Sequence, residues 1–197
     1  MAYNFYPTAW VNDSQNWMYF EEFFTPEDLK WIEENVQEID PKEATTFSGN
    51  TKGRSSKVRW IPQNEKWEWL YNSLMNLSKN ANESLWGFDL KSAPEEIQYT
   101  EYHSDENGHY GWHQDIGPDI ASSRKVSITV QLSSPEEYEG GNLQISRGGL
   151  GDNSGYDMPK GKGTVVIFPS YMMHRVTPVT SGIRKSFVLW VGGEHYK

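Results

Sequence analysis

Two histidines and one aspartate in this chain have the types and the spacing to hold a metal ion. They are His113 and Asp115 in Tyr110-Gly111-Trp112-His113-Gln114-Asp115, and His174 in Tyr171-Met172-Met173-His174-Arg175. In a strand, side chains two apart point the same way, so His113 and Asp115 face one cavity while Trp112 and Gln114 face the opposite side. A further ligand from a distant segment completes a two-histidine, one-carboxylate set. Such a set occupies three neighbouring positions around a metal and leaves others open, which suits ferrous iron that must also hold a co-substrate and O2. An H-x-D tripeptide alone says little; order sharpens it. From His113 to His174 is 61 residues, and 10 more lead to Arg184 in Gly182-Ile183-Arg184-Lys185-Ser186. Arginine offers a fixed two-pronged donor that matches a carboxylate. On a strand, Arg184 would share a face with Ser186, Val188 and Trp190, and an arginine turned into such a cavity needs an anion.

The rest of the chain must supply a scaffold for these residues, and its composition permits one. At 197 residues it is one domain of ordinary size, long enough to bury a core. Hydrophobic residues make up 36% and aromatics 14%, a globular and not a disordered composition. The net charge of −9 disfavours a nucleic-acid binder, which usually carries a basic stripe along the phosphates. Lys52, Arg54, Lys57 and Arg59 form a local basic patch, read here as a solvated loop. With no cysteine, no disulfide holds the fold and no thiolate competes for a metal. The opening Met1-Ala2-Tyr3-Asn4-Phe5 has neither a basic nor an apolar leader segment, and no run reaches membrane-spanning length, so the expectation is a soluble cytoplasmic protein.

Helices come first. In Thr25-Pro26-Glu27-Asp28, Thr25 can cap, Pro26 fits the first helical position and Asp28 completes a capping box; Leu29, Ile32 and Val36 follow at helical spacing as far as Asp40-Pro41. Residues 45–56, rich in Thr, Ser and Gly, read as a mobile loop, a candidate lid over a substrate. A second helix is expected over about 64–85, with Trp67, Leu70, Leu74, Leu77 and Ala81 on one stripe. Strands then take over. Residues 96–102 put Gln98, Thr100 and Tyr102 on one face and run into the turn Ser104-Asp105-Glu106-Asn107-Gly108. Residues 126–132 alternate apolar and polar, the sign of a strand between two unlike environments. Leu143-Gln144-Ile145 is a short strand, Gly148 to Gly163 a glycine-rich connection, and residues 165–168 and 187–191 are apolar runs covered on both sides. The fold class is therefore mainly β with flanking helices (α+β), with strands in a jelly-roll, cupin-like double sheet. His103, His109 and His195 lie next to turns or the chain end and are expected at the surface.

At the His113, Asp115, His174 and Arg184 positions the sequence resembles the Fe(II)/2-oxoglutarate-dependent dioxygenases, and within them the prolyl 4-hydroxylase-like branch; it is most similar to bacterial PKHD-type hydroxylases. Further matching segments occur in order: Val58-Arg59-Trp60, Trp86-Gly87-Phe88-Asp89-Leu90, Ser133 to Gly141, Phe168-Pro169-Ser170, and His174 to Val179. The resemblance implies a double-stranded β-helix over about 96–193, a helical support region over about 19–90, and one domain spanning 1–197. It also implies Fe(2+) as cofactor, 2-oxoglutarate and O2 as co-substrates, and ascorbate as a further reductant. His113, Asp115 and His174 would be the catalytic metal ligands, and Arg184 would bind the distal carboxylate of 2-oxoglutarate. Tyr102 would donate to the keto acid, Gln131 would lie near the distal carboxylate, and Leu143 and Trp190 would wall the pocket. The implied activity is hydroxylation of an unactivated C–H, with release of succinate and CO2, on a prolyl residue of a protein or peptide substrate. Competing readings are an oxygenase of a small molecule or free amino acid and a cupin-like metal-binding module without turnover. A nucleic-acid demethylase is disfavoured, because the place of its usual second arginine is Trp190. No second arginine is expected on the pocket wall.

Overall fold

A computed structural model describes residues 16–43, 53–147 and 154–196. Among these are helices α1 (Pro26–Val36) and α2 (Glu68–Leu85) and thirteen strands: β1 (Met18–Phe20), β2 (Lys42–Glu43), β3 (Arg54–Ser55), β4 (Lys57–Ile61), β5 (Ile97–His103), β6 (His109–His113), β7 (Arg124–Gln131), β8 (Tyr138–Gly140), β9 (Leu143–Ser146), β10 (Gly155–Asp157), β11 (Val165–Pro169), β12 (His174–Val176) and β13 (Val179–Gly192). They form two antiparallel sheets. The larger runs β1-β11-β7-β13-β5-β4-β2, with β8 also on β13; the smaller runs β10-β9-β12-β6-β3. None of the described helices is long and apolar enough to cross a membrane.

The three central strands of the larger sheet share one alternation. On β7, Val126, Ile128 and Val130 enter an apolar cluster with α1 and α2; so do Phe187, Leu189 and Val191 of β13 and Ile97 and Tyr99 of β5. Residues between them turn to the opposite face, where Gln98, Tyr102, Thr129, Arg184, Ser186, Val188 and Trp190 line a cavity. Every residue of β7 is buried, so the polar half of its alternation faces the protein's interior and not solvent. A second apolar cluster, including Leu143, Ile145, Val166 and Phe168, fills the space between the sheets beside that cavity.

Both helices are scaffold. Thr25 Oγ1 accepts from the Asp28 N–H and Asp28 Oδ2 accepts from the Thr25 N–H, each at 3.1 Å, closing the capping box ahead of Pro26. Trp31 of α1 meets Trp67 edge-on at 4.9 Å. Helix α2 begins at Glu68, later than its periodicity indicates, because residues 64–67 form a turn closed by the Trp67 N–H on the Asn64 carbonyl. The expected stripe of Trp67, Leu70, Leu74, Leu77 and Ala81 is buried throughout.

Two expected loops contain strands. Residues 45–52 lie outside the described residues, but Arg54 and Ser55 pair with β6, and residues 57–61 pair with β5. The basic patch is correspondingly not a solvated loop. Arg54 is buried, Arg59 pairs with Glu101 at 2.8 Å and Lys57 with Glu106 at 2.8 Å. These strands are short and nearly free of aliphatic residues at first, so no hydrophobic period announces them. Within the Gly148 to Gly163 connection, β10 pairs with β9 at the edge of the smaller sheet.

Leu74 is fully buried against the larger sheet. Leu74→Ala should cost about 2–5 kcal/mol of stability through lost transfer energy and a residual cavity. The exposed change Lys79→Ala on the same helix should stay within about 0.5 kcal/mol. Urea unfolding followed by tryptophan fluorescence measures both; equal effects would contradict the packing described.

Candidate active site

The triad is assembled across the smaller sheet. His113 ends β6 and His174 begins β12, and the two are paired residues in the ladder. Their rings lie 4.1 Å apart. Asp115 lies just past the end of β6, where its N–H donates to the Ser170 carbonyl at 2.9 Å and its own carbonyl accepts from Arg124 Nη1 at 3.0 Å. Two more chain segments thus fix a residue that the strand alone would leave loose. Trp112 and Gln114 turn away as expected: Arg175 stacks on Trp112 at 4.6 Å, and Gln114 is exposed, donating to the Tyr171 carbonyl.

Each imidazole is fixed by a carbonyl two residues earlier in the chain. His113 Nδ1 lies 2.8 Å from the Gly111 carbonyl and His174 Nδ1 lies 2.9 Å from the Met172 carbonyl. A carbonyl can only accept, so Nδ1 carries the hydrogen and the neutral ring presents a bare lone pair at Nε2. Those lone pairs meet the carboxylate: His113 Nε2 is 3.7 Å from Asp115 Oδ1, and His174 Nε2 is 3.5 Å from Oδ2. Ser127 donates to Oδ2 at 2.6 Å, which orients the carboxylate from β7. Tyr110 stacks on His113 at 3.4 Å and Phe168 meets His174 edge-on at 4.7 Å. Burial, reinforced by the neighbouring His174, pushes the His113 pKa down to about 3. Burial alone would raise Asp115, but His174, His113 and Ser127 together hold it below the usual carboxylate range. Three ligand atoms within 4.8 Å of one another are thus poised as electron-pair donors. The set fits Fe(2+), with imidazole tautomers locked by outer hydrogen bonds as metal-binding histidines require.

Arg184 lines the same cavity, of about 340 Å³. It is buried to 1% exposure and has no carboxylate partner among the described residues. Its Nη2 donates to Gln131 Oε1 at 2.9 Å and its Nη1 to Ser186 Oγ at 3.2 Å, while Nε finds no partner. Tyr102 flanks the guanidinium at 5.4 Å. Tyr102, Leu143 and Trp190 all line the cavity, but Gln131 lies behind Arg184 and orients it instead of facing the space. A carbonyl oxygen in that position satisfies one prong and leaves the remainder for a ligand. Gly141, at φ +58°, brings the chain so close that a Cβ there would sit 3.0 Å from Arg184 Cδ.

Sequence reading missed several residues. Ser127 and Ser170 sit 2.9 Å apart beside Asp115. Arg124 forms a two-pronged pair with Glu95, both contacts at 2.6 Å, and stacks on Trp190 at 3.7 Å. Arg54 also lines the cavity, so a second arginine does stand on its wall. The polar positions on β7 were the available signal for Ser127; nothing local announces the pairing of Arg124 with Glu95, a residue 29 positions away. His103 is half-buried against Glu101 at 2.9 Å and not a free surface residue, whereas His195 is exposed beside Ser122.

The β-sandwich thus gathers around one cavity two histidines, a carboxylate and an arginine that has no carboxylate partner among the described residues. Residues 97–192, the segment that carries the whole triad and Arg184, match the sequence profile of the 2OG-Fe(II) oxygenase superfamily. The chain is similar to a PKHD-type hydroxylase of Synechococcus sp. (strain CC9605), 43% identical over 82 residues, which are 42% of this chain and 36% of that protein. Against a PKHD-type hydroxylase of Azoarcus sp. (strain BH72) the identity is 45% over 92 residues, 44% of this chain and 38% of that protein. The chain thus spans well under half the length of these relatives. In fold it is similar to a Trichoplax adhaerens prolyl hydroxylase in complex with a hypoxia inducible factor oxygen degradation domain peptide fragment, with TM-score 0.74, 16% identity, and coverage of 91% of this chain and 84% of that one. A Pseudomonas putida prolyl-4-hydroxylase gives TM-score 0.70 at 21% identity, covering 92% and 94%.

The depressed His113 pKa sets a pH dependence. Unfolded, His113 binds a proton near pH 6.5, whereas folded it does so only near 3, so its contribution to stability is complete above 6.5 and is lost as pH falls toward 3. The metal-free protein should therefore lose stability across that window. His113→Ala should flatten the slope. Urea midpoints measured in chelator from pH 7.5 to 4 test this, and an equally steep slope in the variant would contradict it.

Proposed function

We propose that this chain is an Fe(II)- and 2-oxoglutarate-dependent hydroxylase acting on a prolyl residue of a protein or peptide, as one domain over 1–197. The observation that carries the reading is the pairing, in one cavity, of the His113–Asp115–His174 donor set with a buried Arg184 that no protein carboxylate neutralises. The names of the relatives support hydroxylation, and the prolyl hydroxylase neighbours support the prolyl choice and a peptide substrate.

In this reading His113 and His174 bind Fe(2+) through Nε2, and Asp115 binds it through its carboxylate. Fe(2+) bound there with 2-oxoglutarate and O2 supplies the oxidising power for hydroxylation, releasing succinate and CO2. The chain's share is positioning and exclusion. Ser127 and the Ser170 carbonyl hold Asp115, so the carboxylate does not rotate away from the two Nε2 atoms. Arg184, oriented by Gln131 and Ser186, clamps the distal carboxylate of 2-oxoglutarate, and Tyr102 donates to the keto acid. Leu143, Val188 and Trp190 keep the wall apolar, which strengthens the Arg184 contact by excluding water.

The direct test is incubation with Fe(II), 2-oxoglutarate and proline-containing peptides, read by mass spectrometry for a gain of one oxygen and by succinate release. Binding of metal without either product would favour the metal-binding module. His113→Ala, Asp115→Ala or His174→Ala should each lose stoichiometric Mn(II) binding with the far-UV circular dichroism kept; retention in all three would remove the ligand assignment. Arg184→Ala should raise the 2-oxoglutarate requirement by roughly tenfold or more, since charged hydrogen bonds contribute about 1.5–3 kcal/mol. Arg184→Lys should recover only part, because a point charge replaces a fork. An unchanged requirement in Arg184→Ala would put the anion site elsewhere.

A further inference from the structure

We propose that Arg54 receives a carboxylate of the substrate, so that the molecule hydroxylated in this cavity is acidic; this rests on the oxygenase reading above. Arg54 stands on β3 opposite Tyr110 of β6 and lines the cavity while being 7% exposed. Its Nε donates to Ser56 Oγ and its Nη2 to Gln98 Oε1, both at 2.8 Å, and its guanidinium lies 4.7 Å over the Tyr110 ring. Tyr110 in turn stacks on His113. Arg54 is therefore one ring away from the metal centre. No carboxylate pairs with it among the described residues, and its Nη1 finds no acceptor there.

That absence is selective. Arg59 has Glu101, and Arg124 has both oxygens of Glu95. Of the cavity's arginines, Arg184 and Arg54 have neutral hydrogen-bond partners alone among the described residues. A buried cation without a counter-charge is expensive, and stacking on Tyr110 offsets only part of that cost. The keto acid accounts for Arg184 but not for Arg54. Arg54 anchors on Gln98, which pairs with Val188, whereas Arg184 pairs with Tyr102. In the oxygenase reading one end of 2-oxoglutarate lies at the metal and its distal carboxylate on Arg184, so no carboxylate of the keto acid remains for Arg54.

Charge balance gives the same answer. Among the described residues that line the cavity are three arginines, Arg54, Arg124 and Arg184, and two acids, Glu95 and Asp115. Fe(2+) and the dianion of 2-oxoglutarate cancel each other, so the loaded cavity keeps an excess positive charge inside a chain of net charge −9. A substrate carboxylate removes it. The carboxylate could belong to an acidic side chain beside the target residue of a peptide, or to the backbone acid of a free amino acid, and the two sources are separable.

The test uses the full chain loaded with Mn(II) and 2-oxoglutarate, which holds the ternary site without turnover. Four pools are offered: random peptides with a fixed proline beside a fixed Glu, the same with Gln, free amino acids, and their amides. Retained species are identified by mass spectrometry, and affinities are followed by tryptophan fluorescence. The expected result is binding from the Glu peptides or from the free acids, tighter than the matched neutral pool by roughly tenfold or more. Arg54→Gln should erase that preference, and Arg54→Lys should restore part of it. Ser56→Asp, which supplies an internal carboxylate to the same guanidinium, should erase it with Arg54 still present. Equal retention of neutral pools, no retention from any pool, or an acid preference that survives both Arg54→Gln and Ser56→Asp would overturn the proposal. Loss of Mn(II)-dependent 2-oxoglutarate binding in the wild-type chain would instead remove the oxygenase reading on which it rests.

Discussion

The structure depends on a convergence of electron pairs that no cationic side chain among the described residues neutralises. His113 and His174 each commit Nδ1–H to a carbonyl two residues earlier in the chain, and so present bare Nε2 atoms to the Asp115 carboxylate. With the rings neutral, three donors this close repel one another, and a cation between them turns the repulsion into coordination. Strand geometry enforces the arrangement, since His113 and His174 are ladder partners on β6 and β12. The aromatic rings of Tyr110 and Phe168 brace the imidazoles from either side.

Holding that convergence in the interior requires the larger sheet to be polar where it faces inward. Its central strands β7, β13 and β5 place aliphatic and aromatic side chains against the helices and hydroxyl, amide and guanidinium groups toward the cavity. Buried polar groups cost energy unless they are paired, and most here are: Ser127 with Asp115, Gln131 and Ser186 with Arg184, Gln98 with Arg54. The helices' apolar packing supplies the stability that lets this inward face be used for chemistry. Function and folding are thus carried by opposite faces of the same strands.

Much of this was legible because period two is visible wherever a strand separates an apolar cluster from a polar cavity. The alternation of residues 126–132, the face shared by Arg184, Ser186, Val188 and Trp190, and the order of His113, Asp115, His174 and Arg184 all follow from it. The α2 stripe was legible for the corresponding reason at helical period. Legibility ended where a residue's role is set by a partner remote in sequence. Arg54 and Arg59 differ by only five positions and look alike in sequence, yet Arg59 is paired by Glu101 and Arg54 by no carboxylate among the described residues, a distinction made by β5. Gln131 was expected near the distal carboxylate of 2-oxoglutarate; the fold shows it accepting from Arg184 without lining the cavity. The strand β10 lacks apolar content because it lies at a sheet edge and carries no core face.

The central claim is that the triad holds a metal whose open positions and Arg184 together bind one 2-oxoglutarate. Anaerobic titration of 2-oxoglutarate into the protein, with and without stoichiometric Fe(II), measures this most directly. The account predicts one equivalent bound, with affinity that collapses when Fe(II) is withheld and a visible absorption band that appears only with both present. Binding of equal strength with and without Fe(II), and no such band, would contradict it.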